Sequence, residues 1–211
     1  MVTLPENLKT EFYRFLNGNL SILEIERYIY EYTELENYFE ATLYFELINF
    51  DFNNKLACDN FKDFVLKNVI EEGQFETWKL RKLLLDFIAE PQNAHVHLNS
   101  FYNLYCGIYQ ENAPRKYEYK FLANLGLNYL YWIDEGYMKV NYGENWKREY
   151  EKALKEVGHY QYQLKPFAEE VLKALNNGKI MIHNDGKYSI SEDVKTELIL
   201  KKIYNFIHPE R

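Results

Sequence analysis

Residues 12–39, FYRFLNGNLSILEIERYIYEYTELENYF, carry the pattern that decides the fold. Phe12, Phe15 and Leu16 continue a helical stripe begun at Leu4 and Leu8, and Gly18 follows as a stop signal. Ser21 and Glu24 then stand at capping-box spacing: the hydroxyl can accept from the amide three residues on, while the carboxylate reaches back to the cap's own amide. A second helix is expected from there, with Ile22, Ile25, Ile29 and Tyr32 on one face and Glu24, Glu31, Arg27 and Tyr28 toward solvent. Thr33 and Glu36 repeat the spacing, which predicts a third helix through LENYFEATLYFELINF to about Phe50.

Working toward the C-terminus, Asp51 to Asn54 reads as a turn. In KLACDNFKDFVLKNVI (55–70) the inward stripe is expected to be Leu56, Ala57 or Cys58, Phe61, Phe64, Val65 and Val69. FETWKLRKLLLDFI (75–88) repeats large apolar residues at helical spacing until Pro91 ends it. PQNAHVHLN breaks the pattern as a polar, extended segment, so residues 1–90 are read as one acidic helical bundle and 98–211 as a second helical region, the two forming either separate domains or one continuous one. In that second region helices are expected in LNSFYNLYCGIYQ and, after a pause at ENAPRK, in YEYKFLANLGLNYLYWIDEGYMKV, with Phe121, Leu122, Leu125, Tyr129 and Trp132 as its core face. NYGEN reads as a loop. Two further helices are expected in WKREYEKALKEVG and LKPFAEEVLKALNNG, separated at HYQYQ, with Pro166 in the first turn of the second. Residues 179–190 give the β signal, two short strands around Asp185-Gly186, and a last helix is expected over Ser191 to Phe206. The fold class is therefore mainly α, a multi-helix bundle with one small C-terminal β-hairpin.

Charge is unevenly placed. Residues 1–51 hold ten acids and three bases, while the other 160 residues are balanced, so the whole formal net charge of −7 lies in the N-terminal quarter. Such a field repels phosphate backbones and attracts basic partners, although acidic helix faces also serve plain solubility. The helix, hairpin and helix at the C-terminus resemble half of a winged helix, but the charges there nearly cancel, which disfavours nucleic acid as a partner. No apolar run reaches the roughly 18 residues a membrane span needs, and the N-terminus lacks a basic start followed by an apolar core, so no membrane partner is expected and the expected location is the cytoplasm. Aromatic residues are 18% of the chain, more than a core of this size requires, so some of the 20 tyrosines are expected at the surface.

Motifs for phosphate loops, dinucleotide binding, nucleophile elbows and zinc helices are missing, so neither a cofactor nor a metal is expected. His95 and His97 alternate in what reads as an extended segment and could face one ion, but a third ligand is not evident. Glu46, flanked by Phe45, Leu47 and Ile48, is read as exposed on the polar edge of its helix. The two cysteines, Cys58 and Cys106, have no pairing motif and read as reduced thiols, Cys58 as a packing residue and Cys106 as a nucleophile only with a histidine beside it. No catalytic residue is assigned.

The segment 12–39 together with LYFELINFDFNNK (43–55) and FETWKLRKLLLDFI resembles the small helical immunity proteins encoded beside bacterial polymorphic or contact-dependent toxins. The resemblance spans about the first 90 residues and implies a stoichiometric inhibitor that occludes a cognate toxin domain. An acidic, tyrosine-rich chain is physically suited to a basic protein partner. Tyr28, Tyr30, Glu31, Glu34 and Tyr38 are the expected contact residues. Two other classes remain open at this point: a different protein-interaction module, and an all-α enzyme with Glu46, His95, His97 and Cys106 as nominees.

Overall fold

The computed structural model describes residues 4–111 and 113–195. It is mainly α, with a β-hairpin near the C-terminal end. The chain divides into two compact units between Lys79 and Leu80, a boundary that falls inside one helix.

The first unit contains α1 (Glu6–Leu16), α2 (Ile22–Glu31), a 3-10 turn (Thr33–Asn37), α3 (Ala41–Ile48), α4 (Ala57–Asn68) and the start of α5 (Glu72–Ala89). Leu8, Phe12 and Phe15 of α1 and Ile25 and Ile29 of α2 are buried together, as their spacing predicts. The core is organised around Phe61 of α4, whose ring meets Phe50 at 4.8 Å, Phe52 at 5.1 Å and Phe15 at 5.4 Å. The Ser21–Glu24 capping box forms in full, with the Glu24 carboxylate accepting from the Ser21 amide at 2.7 Å. These bonds hold the Glu24 carboxyl below its ordinary pKa.

The expected third helix is interrupted. Thr33 makes no capping bond, and the amides of Leu35 and Tyr38 are taken up by short bonds to the carbonyls of Tyr32 and Leu35. This tight turn buries Leu35 and Phe39 before α3 restarts at Ala41. The stripe of α4 falls in the expected register at Ala57, Phe61, Val65 and Val69, but Leu56 and Cys58 are exposed, so Cys58 is not a packing residue.

The second unit takes the rest of α5, then α6 (Ala94–Cys106), β1 (Ile108–Gln110), β2 (Ala113–Lys116), a short 3-10 turn over Lys120–Leu122, α7 (Ala123–Gly126), α8 (Glu135–Tyr142), α9 (Trp146–Asn176), β3 (Ile180–Ile182), β4 (Tyr188–Ile190) and α10 (Glu192–Lys195). Phe87, Leu98, Phe101, Phe121, Leu122, Leu125, Trp132 and Val157 lie in one core. The hairpin at the expected place pairs Ile180 with Ile190 and Ile182 with Tyr188, and Gly186 occupies the left-handed region (φ +76°) that its turn requires. The expected last helix has only its first turn, α10, within the described residues; 196–206 lie outside them.

Four expectations for this unit are corrected. A second hairpin, β1 with β2, replaces helix over Ile108–Gln110: Gly107 (φ +68°) ends α6, and the Arg115 guanidinium donates to the Cys106 carbonyl at 2.7 Å. The segment from Tyr117 to Val140 is not one helix but a 3-10 turn, a single turn of α7 and then α8, started by the Asp134 side chain accepting from the Tyr137 amide. A Cβ on Gly126 would lie 2.9 Å from the Phe101 carbonyl oxygen, so glycine permits the close approach of α7 to α6. The polar stretch after Pro91 is helical, since α6 begins at Ala94.

The fourth correction is α9, which runs unbroken through HYQYQ with Pro166 inside it. Proline removes the bond to the carbonyl four residues back, that of Tyr162. Both Pro166 and Tyr162 are exposed, which leaves that carbonyl on the solvent side and lessens the cost. Continuity places the buried Gln161, whose amide donates to the carbonyls of Phe87 (2.8 Å) and Ile88 (3.0 Å) at the end of α5. Pro91 has no N–H to offer Phe87, so Gln161 supplies the missing donor. In return the Arg81 guanidinium donates to the Leu175 carbonyl in the last turn of α9 (3.0 Å). Each helix thus caps the other.

Replacing the donor by an acceptor, Gln161→Glu, sets a carboxylate against two carbonyls and is expected to cost about 3 kcal/mol. Urea unfolding followed by circular dichroism measures this, and an unchanged midpoint refutes the cap.

Candidate functional site

Between Tyr28 and Asn54 the sequence has six carboxylates, Glu31, Glu34, Glu36, Glu40, Glu46 and Asp51, and no lysine, arginine or histidine. All six are exposed. None takes part in an ion pair among the described residues; in this quarter of the chain it is Glu11 that is paired, with Arg14 at 2.9 Å. The reason is local: α2, the 3-10 turn and α3 give their apolar residues, Ile25, Ile29, Leu35, Phe39 and Leu47, to the core, and the acids take the remaining positions.

Of the expected contact residues, Tyr30, Glu31, Glu34 and Tyr38 are exposed. Tyr30 is also held in place: its hydroxyl donates to the Ile48 carbonyl at the end of α3 (2.9 Å), and its ring stands edge-on to Phe52. Tyr28 departs from expectation. It is half-buried, packs edge-on against Phe12 and at 5.4 Å from Tyr32, and donates to the Leu8 carbonyl (3.3 Å). Burial first, then the nearby Glu11 carboxylate, pushes its phenol up to about 12. Tyr28 is thus a strut between α1 and α2.

Sequence reasoning did not single out Leu23 (63% exposed) or Phe45 (64% exposed) on this unit. The density of acids around Phe45 was a usable signal. Its outward direction was not, because the register of α3 depends on the break at residues 38–40.

The enzyme nominees are scattered among different environments. Glu46 is exposed, as read. His95 and His97 lie on α6, where a two-residue step turns side chains apart instead of aligning them. His97 Nε2 is 3.6 Å from the Glu90 carboxylate, beyond a hydrogen bond, and its ring meets Phe87 edge-on. Burial, then the neighbouring His97, lowers the pKa of His95. The Cys106 thiol, first, and then Tyr129 raise the pKa of the Tyr102 phenol, and Tyr102 stacks on Tyr129 at 4.1 Å. Among the described residues there is no group of three or more His, Cys, Asp or Glu placed to hold a metal. No helix there is long and apolar enough to cross a membrane. An open cleft of about 380 Å³ is lined by Glu170, Lys173, Asn177, Lys179 and Asp193, away from all four nominees in sequence, and Lys179 and Asp193 bridge it as an ion pair.

Compared with protein-family models, curated proteins and solved structures, the chain matches none.

The raised phenol pKa of Tyr28 has a direction for stability. The folded state holds the proton more tightly than the unfolded state, so the stabilisation is complete below pH 10 and is lost as pH rises from 10 toward about 12. Tyr28→Phe is expected to flatten this part of the alkaline decline, seen as a smaller difference between urea midpoints at pH 9 and pH 11 than in the unsubstituted protein.

Proposed function

We propose that this protein is an immunity-type inhibitor that binds a basic bacterial toxin domain and neutralises it by occlusion. One observation carries the reading: six exposed carboxylates, unrelieved by any base over 28–54, interleaved with exposed Tyr30, Tyr32 and Tyr38. Unpaired surface acids raise the encounter rate with a cationic protein, and tyrosines provide contact area with few rotatable bonds. Tyr30 is further suited to contact because its hydrogen bond to Ile48 already restrains the ring, which reduces the ordering cost of binding. The active contact set is Tyr30, Glu31, Glu34 and Tyr38, with Tyr28 supporting it from behind.

The test is genetic and then kinetic. Each protein encoded beside this gene is expressed in a heterologous bacterium, with and without this chain. One neighbour is expected to arrest growth, and co-expression is expected to restore it. A set of neighbours that are all harmless, or a toxic one that this chain does not restrain, refutes the reading. With the toxin in hand, the double charge reversal Glu31→Lys and Glu34→Lys is expected to slow association about tenfold at low salt, with a much smaller effect at high salt. An association rate unchanged at low salt removes electrostatic steering.

A further inference from the structure

We propose that the outward face of α3, centred on Phe45, is the anchor of the docking surface and receives a cationic amphipathic surface of the partner, one that brings an apolar pocket or stripe rimmed by lysine or arginine. The proposal rests on the binding role above and names the chemistry of the partner.

α3 reads ATLYFELI, and five of its eight residues are large and apolar. A helix of that composition ordinarily goes into a core. Here Leu47 alone is fully buried, Leu43, Tyr44 and Ile48 are partly covered, and Phe45 stands 64% exposed. The face is fixed: the Tyr30 hydroxyl and the Asn49 side chain bond the carbonyls of Ile48 and Phe45 in the last turn of α3. A phenylalanine displayed on a restrained helix offers a large apolar area at little ordering cost, the property of residues that dominate binding energy.

Charge decides the occupant. Glu46 follows Phe45 within α3, Glu40 stands just before the helix, Glu31, Glu34 and Glu36 lie in α2 and the 3-10 turn, and Asp51 follows α3; all six are exposed, with no base among residues 28–54. An exposed apolar ring in a segment whose only charges are negative is complementary to an apolar site accompanied by cationic side chains. A second copy of the chain would bring like charges together across the same face and is disfavoured for that reason.

The probe is a fluorescently labelled helical peptide of leucine and lysine arranged amphipathically, compared with one in which glutamine replaces leucine. The full chain is expected to bind the first in fluorescence anisotropy and the second at least about tenfold more weakly, since the glutamine peptide keeps the charge and loses the apolar stripe. Phe45→Ala is expected to weaken the leucine peptide about tenfold or more and to leave the thermal midpoint unmoved, because the ring supports no core. Glu46→Lys is expected to weaken it at low salt and little at high salt. Equal binding of the leucine peptide by the Phe45→Ala and unsubstituted chains overturns the proposal, as does no binding at all. A dimer in sedimentation that Phe45→Ala dissociates also overturns it, since the face would then belong to a second copy. Failure of growth rescue with the peptide result intact removes the toxin and leaves the face. Rescue with a peptide result indifferent to Phe45 removes the face and leaves the toxin.

Discussion

The packing of aromatic rings around Phe61 is the constraint on which the N-terminal unit depends. Phe15 approaches it from α1 and Phe50 and Phe52 from the chain just after α3, while Phe64 stacks beside it on α4. Because Phe50 and Phe52 are drawn to this ring, α3 must end before them, and its final carbonyls lie where Tyr30 can reach. Once α2 and α3 are anchored by their inner residues, the acids between them have only the outer surface to occupy. The negative face is thus a consequence of how the core closes.

That arrangement stores electrostatic cost. Six like charges without a counter-charge repel one another, and the fold would be relieved by a few lysines at exposed positions where none occurs. The C-terminal unit shows the contrast: Lys120 meets Glu118, Lys139 meets Glu135, Lys165 meets Glu169 and Lys187 meets Asp185, with alternating signs over the surface. Isolated surface pairs of this kind add little to stability. They do lower the long-range field, whereas residues 28–54 carry no base of their own. A cationic partner would supply the missing counter-charge.

Local signals were legible wherever a few neighbouring residues set the structure. Ser21 and Glu24 cap α2 as their spacing requires, Asp185-Gly186 turns the hairpin, and the positions of Phe12, Phe15, Ile25 and Ile29 in the core follow from helical period. Signals of the same form misled where a distant partner outweighed them. Thr33 and Glu36 have capping spacing, yet burial of Leu35 and Phe39 turns the chain first. HYQYQ and Pro166 look like a break, yet Gln161 is required at the end of α5 and keeps α9 whole.

The candidate face divides in the same way. Its charge, its tyrosines and its place in the N-terminal quarter were determined by the sequence alone, because acids are counted without knowing where they point. The outward turn of Phe45, the inward turn of Tyr28 and the separation of His95 from His97 were decided only in three dimensions. Direction on a helix depends on register, and register here is set by contacts between residues far apart in the chain, which periodicity cannot see.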